Sequence, residues 1–144
     1  MITFFKKKDE HEWMSNFAQI GLEIDGKTYP TAEHAFQAAK FTEHAPEYAE
    51  EIRQAATPAS AKAKGKSRKH KINSQWDQTR VETMRRILRA KIAANPELAD
   101  RLRATGNEEL GEANPFDYFW GLGKSGKGKN WMGRLWMELR SEII

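Results

Sequence analysis

Cysteine is absent from all 144 residues, which excludes disulfides, thiolate catalysis and sulfur-bound zinc. No apolar run is long enough to span a bilayer. The start, Met1-Ile2-Thr3-Phe4-Phe5-Lys6-Lys7-Lys8, lacks the ordered regions of a signal peptide, so a cytoplasmic protein without a membrane association is expected. Histidine is scarce and scattered at His11, His34, His44 and His70, with no H-E-x-x-H and no helical histidine pair. Carboxylates do not cluster either, so neither a metal nor a cofactor is expected. Neither Ser15 nor Ser125 lies in a nucleophile elbow, which removes the usual serine triad.

What is present suits a soluble globular protein. Hydrophobic residues make up 39% and charged residues 31%, and one chain of this length can bury a substantial core. With no linker and no internal repeat, residues 1–144 read as a single domain. The net charge of +4 and pI near 9.3 favour anionic partners, without separating nucleic acid from a phosphorylated small molecule.

Periodicity and punctuation predict mostly helices. Ile2 to Phe5 reads as a short strand. Leu22-Glu23-Ile24 and Lys27-Thr28-Tyr29 flank Asp25-Gly26, a two-residue hairpin turn. Thr31 is a good N-cap for a helix, Pro46 opens a second with Tyr48, Ala49, Ile52 and Ala56 inward, and Thr57-Pro58 starts a third that Gly65 ends. Asp77 can cap the longest helix, whose apolar face is Val81, Met84, Ile87, Leu88 and Ile92. Asn95-Pro96 separates it from another through Leu98 and Leu102, stopped at Gly106. A short extended piece around Leu110, an aromatic turn, a glycine-lysine loop and a helix from Asn130 complete the chain. Few strands among many helices argue an α+β, mainly helical fold.

Two glycine patterns mislead. Gly121-Leu122-Gly123-Lys124-Ser125-Gly126 fits G-x-G-x-x-G, and Gly121 to Lys127 fits a P-loop until Gly128 replaces its Ser or Thr. Both need a buried strand before the loop and a helix directly after it. The preceding residues are turn-like and the next cap is Asn130, so both readings fail. The loop remains either an anion cradle, with Lys124, Lys127 and Lys129, or a mobile surface loop. The run Lys62, Lys64, Lys66, Arg68, Lys69, Lys71 is either a solvated face or a phosphate contact.

The densest chemistry follows Thr31. At helical spacing Glu33, Gln37 and Lys40 share one face while Phe36 and Phe41 can turn inward. The row is either a dipole-complementing carboxylate with two solvated neighbours or a functional constellation. Five tryptophans are many for this length. Trp13 precedes Ser15-Asn16-Phe17, Trp76 adjoins Asp77, and Trp120 lies three residues after Asp117. An indole beside a polar group suits a flat heterocycle, whereas Trp136, inside the last helix, reads as core.

Taken in order, these segments resemble the NADAR (YbiA-like) family. The matching pieces are Ser15-Asn16-Phe17, Tyr29 to Phe41, Ala61-Lys62-Ala63-Lys64-Gly65, Trp76-Asp77, Met84, Lys91, Thr105-Gly106, Asp117 to Gly123 and Asn130-Trp131-Met132-Gly133. The resemblance implies a helical α+β fold and N-glycosidase activity. Substrates would be phosphoribosylamino-pyrimidine intermediates of riboflavin synthesis or, for some members, ADP-ribose on guanine in nucleic acid. It also implies active-site roles for Glu33, Trp76, Asp117 and Trp120. Asn16, Lys64, Lys66 and Asn130, from the same segments, join as candidate substrate contacts. Trp13 stands where phenylalanine is usual. Lys66 stands where arginine is usual, and lysine offers a phosphate a point charge rather than a fork.

Glycosidic C–N cleavage builds positive charge at the anomeric carbon and negative charge on the departing base. A carboxylate can stabilise the first or activate water, and an acid can assist the second, so Glu33 and Asp117 are the natural pair. Alternatively, the Lys40 amine could attack the sugar and form a Schiff base. A catalytically inert module binding ADP-ribose or nucleic acid would need the tryptophans and the basic groups but not two carboxylates.

Overall fold

The computed structural model describes residues 1–143. Contacts divide the chain into two compact units: Gln19–Ala94, and Met1–Ala18 together with the chain from Asn95 onward.

The middle unit opens with an antiparallel hairpin, β1 (Leu22–Ile24) and β2 (Lys27–Tyr29), in the register Leu22↔Tyr29, Glu23↔Thr28, Ile24↔Lys27. Asp25 and Gly26 both take positive φ, 52° and 79°, as a turn matched to strand twist requires. Helix α1 (Ala32–Ala39) follows, then α2 (Pro46–Arg53), α3 (Pro58–Lys64) and α4 (Trp76–Ala94). Thr31 caps α1 by accepting from the His34 amide, and Thr57 caps α3 by accepting from the Ser60 amide. α1 packs against α2, α3 and α4 as well as β2, and seven of its eight residues are buried. It is the central rod of its unit. Ala38 and Phe41 close the core with Ala49, Ile52 and Ala61, and Tyr48 and Tyr29 pack against them.

The other unit contains β3 (Ile2–Phe4), a 3₁₀ turn at Glu12–Met14, α5 (Glu97–Ala104), β4 (Leu110–Glu112) and α6 (Trp131–Glu142). β3 pairs with β4 in parallel, Ile2 opposite Leu110. Trp13 meets Trp136 edge to face at 5.4 Å, and the Trp136 indole donates to the Met14 carbonyl at 3.1 Å. Trp136 is core, as its position in the last helix implies.

Several local expectations need correction. The long helix already begins at Trp76, so Asp77 lies in its first turn, where a carboxylate still complements the dipole. Val81 is only half-buried, whereas Lys91 is completely buried on that face. Ala56 is exposed beyond the end of α2. Asn130 precedes α6 in a left-handed conformation, φ 54°, and makes no side-chain cap. Its amide bridges to β4 instead, accepting from the Glu112 amide at 3.1 Å and donating to the Leu110 carbonyl at 2.9 Å.

That bridge explains Gly133. A Cβ there would overlap the Leu110 carbonyl oxygen and lie 2.5 Å from Asn130 Nδ2, so α6 approaches β4 only because the residue has no side chain. Gly133→Ala should therefore destabilise the protein by about 1–3 kcal/mol through overpacking, read from urea unfolding. An unchanged midpoint would contradict the close-approach explanation.

Candidate active site

A helix buried on nearly every side is an unusual place for Glu33, His34 and Gln37, because each buried polar group needs a partner. His34 meets that demand structurally. Its Nε2 donates to the Ala55 carbonyl at 2.9 Å, and Nδ1 lies 2.8 Å from Thr31 Oγ1. Glu33 and Gln37, one turn apart, answer each other: Gln37 Nε2 donates to Glu33 Oε1 at 2.8 Å. The carboxylate can only accept, so the amide nitrogen has to face it. Gln37 Oε1 is thereby turned away, buried and without a hydrogen-bond partner.

Lys40 completes the row. Half-buried at the end of α1, its Nζ donates to the Gly65 carbonyl at 2.7 Å. Burial pushes its pKa below the ordinary 10.5, and the Glu33 carboxylate pulls it part of the way back. The solvated alternative for this face fails, since Glu33 and Gln37 are only 7% and 8% exposed.

Trp76 is brought against the same helix. Its ring lies 5.1 Å from Phe36 and is 7% exposed, so most of the indole serves as packing. Lys64 is ion-paired with Glu51 at 3.4 Å, and Lys66 is exposed. The basic segment is a built loop: His70 stacks on Tyr48 at 3.8 Å, and the Tyr48 hydroxyl donates to the Lys64 carbonyl at 2.6 Å.

In the other unit, Asp117 shapes the aromatic turn. Its Oδ1 accepts from the amides of Phe119 at 3.0 Å and Trp120 at 2.8 Å. The carbonyls of Phe119 and Trp120 then accept from the Trp131 and Met132 amides at 3.1 and 3.0 Å, satisfying donors that open the last helix. Trp120 is half-buried, with Phe119 edge to face at 4.9 Å. Asn16 is buried, its Nδ2 3.9 Å from Met132 Sδ. Asn130, committed to β4, is explained by structure.

The glycine-lysine loop uses most of its amides internally. The amides of Gly121's successors turn inward: Leu122 to the Glu112 carbonyl, Gly123 to Asn114, Gly126 to Gly123, Gly128 to Leu122 and Lys129 to Tyr118. An anion cradle needs those donors pointing outward.

In the sequence Gln37 stands in the row without a site role, and Gly65 stands as a helix stop and the end of a family-like segment. The Glu33–Gln37 spacing of four was the available signal for the first.

The chain matches the NADAR domain family over residues 3–144. It is 41% identical over 143 residues to the N-glycosidase YbiA of Escherichia coli strain K12, covering 99% of this chain and 88% of that protein. It is also 35% identical to the chloroplastic riboflavin biosynthesis protein PYRR of Zea mays, covering all of this chain and 25% of that one. The NMR structure of E. coli YbiA superposes with a TM-score of 0.89 at 41% identity, covering 99% of this chain and 83% of that one.

The electrostatics of Lys40 can be measured directly. Its side-chain 13Cε resonance should titrate below the ordinary lysine pKa of 10.5. In Glu33→Gln it should titrate lower still, because the carboxylate that favours the ammonium is gone. A midpoint at or above 10.5, or an upward move in Glu33→Gln, would contradict the assigned causes. Between the folded and unfolded pKa values the unfolded chain binds the extra proton, so the cost of burying this amine should shrink as pH rises through that window.

Proposed function

The chain belongs to the NADAR family, and from that premise we propose that it hydrolyses the N-glycosidic bond of a phosphoribosylated base, most directly phosphoribosylamino-pyrimidine intermediates of riboflavin biosynthesis. N-glycosidase activity is supported by relatives named as N-glycosidases, and the substrate class by relatives named for riboflavin biosynthesis. The observation that carries the chemistry is the buried row on α1, a carboxylate held by an amide with a desolvated amine beyond it.

In this reading the unprotonated Lys40 amine attacks the anomeric carbon as its bond to the base nitrogen breaks. The attacking nitrogen sheds a proton on forming its new bond, and the Glu33 carboxylate takes that proton and passes it to the departing base. Ring opening leaves a Schiff base between Lys40 and the sugar. Water then adds to that carbon, the amine departs, and ribose phosphate is released. One water is consumed and one C–N bond is lost. Desolvation helps because it enlarges the fraction of Lys40 able to attack. Trp76 would contact the base or sugar, and Lys64 and Lys66 the phosphate. The reaction needs no cofactor. Residues 1–144 act together as one NADAR domain, and a cytoplasmic setting suits a phosphorylated intermediate.

No helix among the described residues is long and apolar enough to cross a membrane. The exposed basic loop favours one further reading, removal of ADP-ribose from guanine in nucleic acid.

Glu33→Gln should fold normally, since the amide keeps the size of the carboxylate. Release of base, followed by mass spectrometry, should fall by about 10²–10⁴-fold, as expected for lost acid–base catalysis. Near-normal turnover in a folded Glu33→Gln protein would overturn the catalytic row. The substrate is separated by salt. Affinity for the phosphoribosyl compound should change little between 50 and 200 mM, whereas engagement of six or more nucleic-acid phosphates would weaken binding by roughly 10³-fold or more. A steep slope, with an ADP-ribosylated oligonucleotide as the better substrate, would favour the second reading.

A further inference from the structure

A glycine that ends a helix is normally explained by a left-handed backbone, which other residues avoid. Gly65 is not such a case. It closes α3 at φ −63° and ψ −15°, a conformation open to any residue. What it lacks room for is a side chain. A Cβ at this position would lie 2.6 Å from Gln37 Cδ and 3.2 Å from Gln37 Cβ, and closer still to Gln37 Oε1.

That contact is one arm of a two-armed arrangement. Gln37 is the residue whose Nε2 holds Glu33 Oε1 at 2.8 Å. The carbonyl of Gly65 itself holds Lys40 Nζ at 2.7 Å. One residue at the end of α3 therefore touches the group that orients the carboxylate and also orients the amine directly. We propose that Gly65 is a positioning residue for C–N cleavage, setting Glu33 through Gln37 and Lys40 through its main-chain carbonyl. The inference rests on the catalytic roles proposed for Glu33 and Lys40.

The nature of the overlap predicts what a side chain would do. Gln37 Oε1 and Cδ are the far end of a flexible side chain, so they can swing aside without unfolding α1. Swinging aside breaks the amide's bond to Glu33. Gly65→Ala should consequently harm catalysis more than stability, because misplacing a catalytic group by about 1 Å can cost on the order of 10²-fold. The role also runs through Gln37, so removing that side chain should make residue 65 matter much less.

The test is a double-mutant cycle on Gly65→Ala and Gln37→Ala, with Glu33→Gln alongside, using release of base from a phosphoribosylamino-pyrimidine. Gly65→Ala and Gln37→Ala should each lose about 10–10²-fold in kcat with KM within about 3-fold, and Gly65→Ala should change Tm little. The double variant should match Gln37→Ala within about 3-fold, since contacts acting in series are not additive. Independent, multiplying losses would overturn the proposal, as would wild-type kcat in Gly65→Ala or Gln37→Ala. Should Gly65→Ala fail to fold, the double variant, relieved of the overlap, still decides: kcat equal to Gln37→Ala supports the positioning role and a much lower kcat defeats it. An inactive Glu33→Gln with a fully active Gly65→Ala would remove this inference alone. A fully active Glu33→Gln would remove the proposed function beneath it.

Discussion

Burying a carboxylate on a helix surrounded by three others constrains everything around it. An ionised group without partners is costly in such a place, so the residues near Glu33 are selected by its needs. Gln37 one turn on supplies a donor, and Lys40 supplies a positive field from a half-buried position. Lys40 in turn needs an acceptor, which the end of α3 provides as the Gly65 carbonyl. The separation between α1 and α3 then has to be small, and residue 65 has to be glycine. A short chain of polar demands thus fixes a helix–helix distance. The apolar core of Ala38, Phe41, Ala49, Ile52 and Ala61 is built of small residues on three helices with larger ones between, which permits that approach.

The other unit solves a related problem with backbone groups. The opening amides of α6 are met by carbonyls of Phe119 and Trp120 rather than by a side-chain cap. Asn130, freed from capping by its left-handed conformation, joins the helix to β4. The Asp117 carboxylate folds the turn by accepting from the Phe119 and Trp120 amides, so the direction of Trp120 is set by main-chain geometry. Substituting Asp117 would disturb this turn as well as remove a charge. Asp117→Asn, which keeps an acceptor oxygen for the turn, is the informative change there.

Features governed by neighbouring residues were legible in the sequence. Asp25-Gly26 specifies its hairpin because both positions must accept positive φ, and Thr31 and Thr57 specify helix starts because their hydroxyls reach amides three residues on. The row on α1 was legible as spacing, though its burial was not, since burial depends on α2, α3 and α4 arriving around it. The reason for Gly65 was hidden for the same cause: its neighbour is Gln37, far away in sequence. Asn130 looked like a cap because asparagine before a helix usually is one, and the loop after Trp120 looked able to hold an anion because sequence does not show where amides point. Lys91, named in the sequence only among the family-like segments, is fully buried, which spacing along α4 did not reveal.

The claim that α1 carries the reacting groups is tested most directly by trapping. The protein is incubated with a phosphoribosylamino-pyrimidine and cyanoborohydride, which reduces a Schiff base to a stable secondary amine, and the modified peptide is sequenced by mass spectrometry. The account predicts loss of activity with one reduced pentose-phosphate adduct, located on Lys40. Sustained turnover with no adduct, or an adduct on a different lysine, would contradict it.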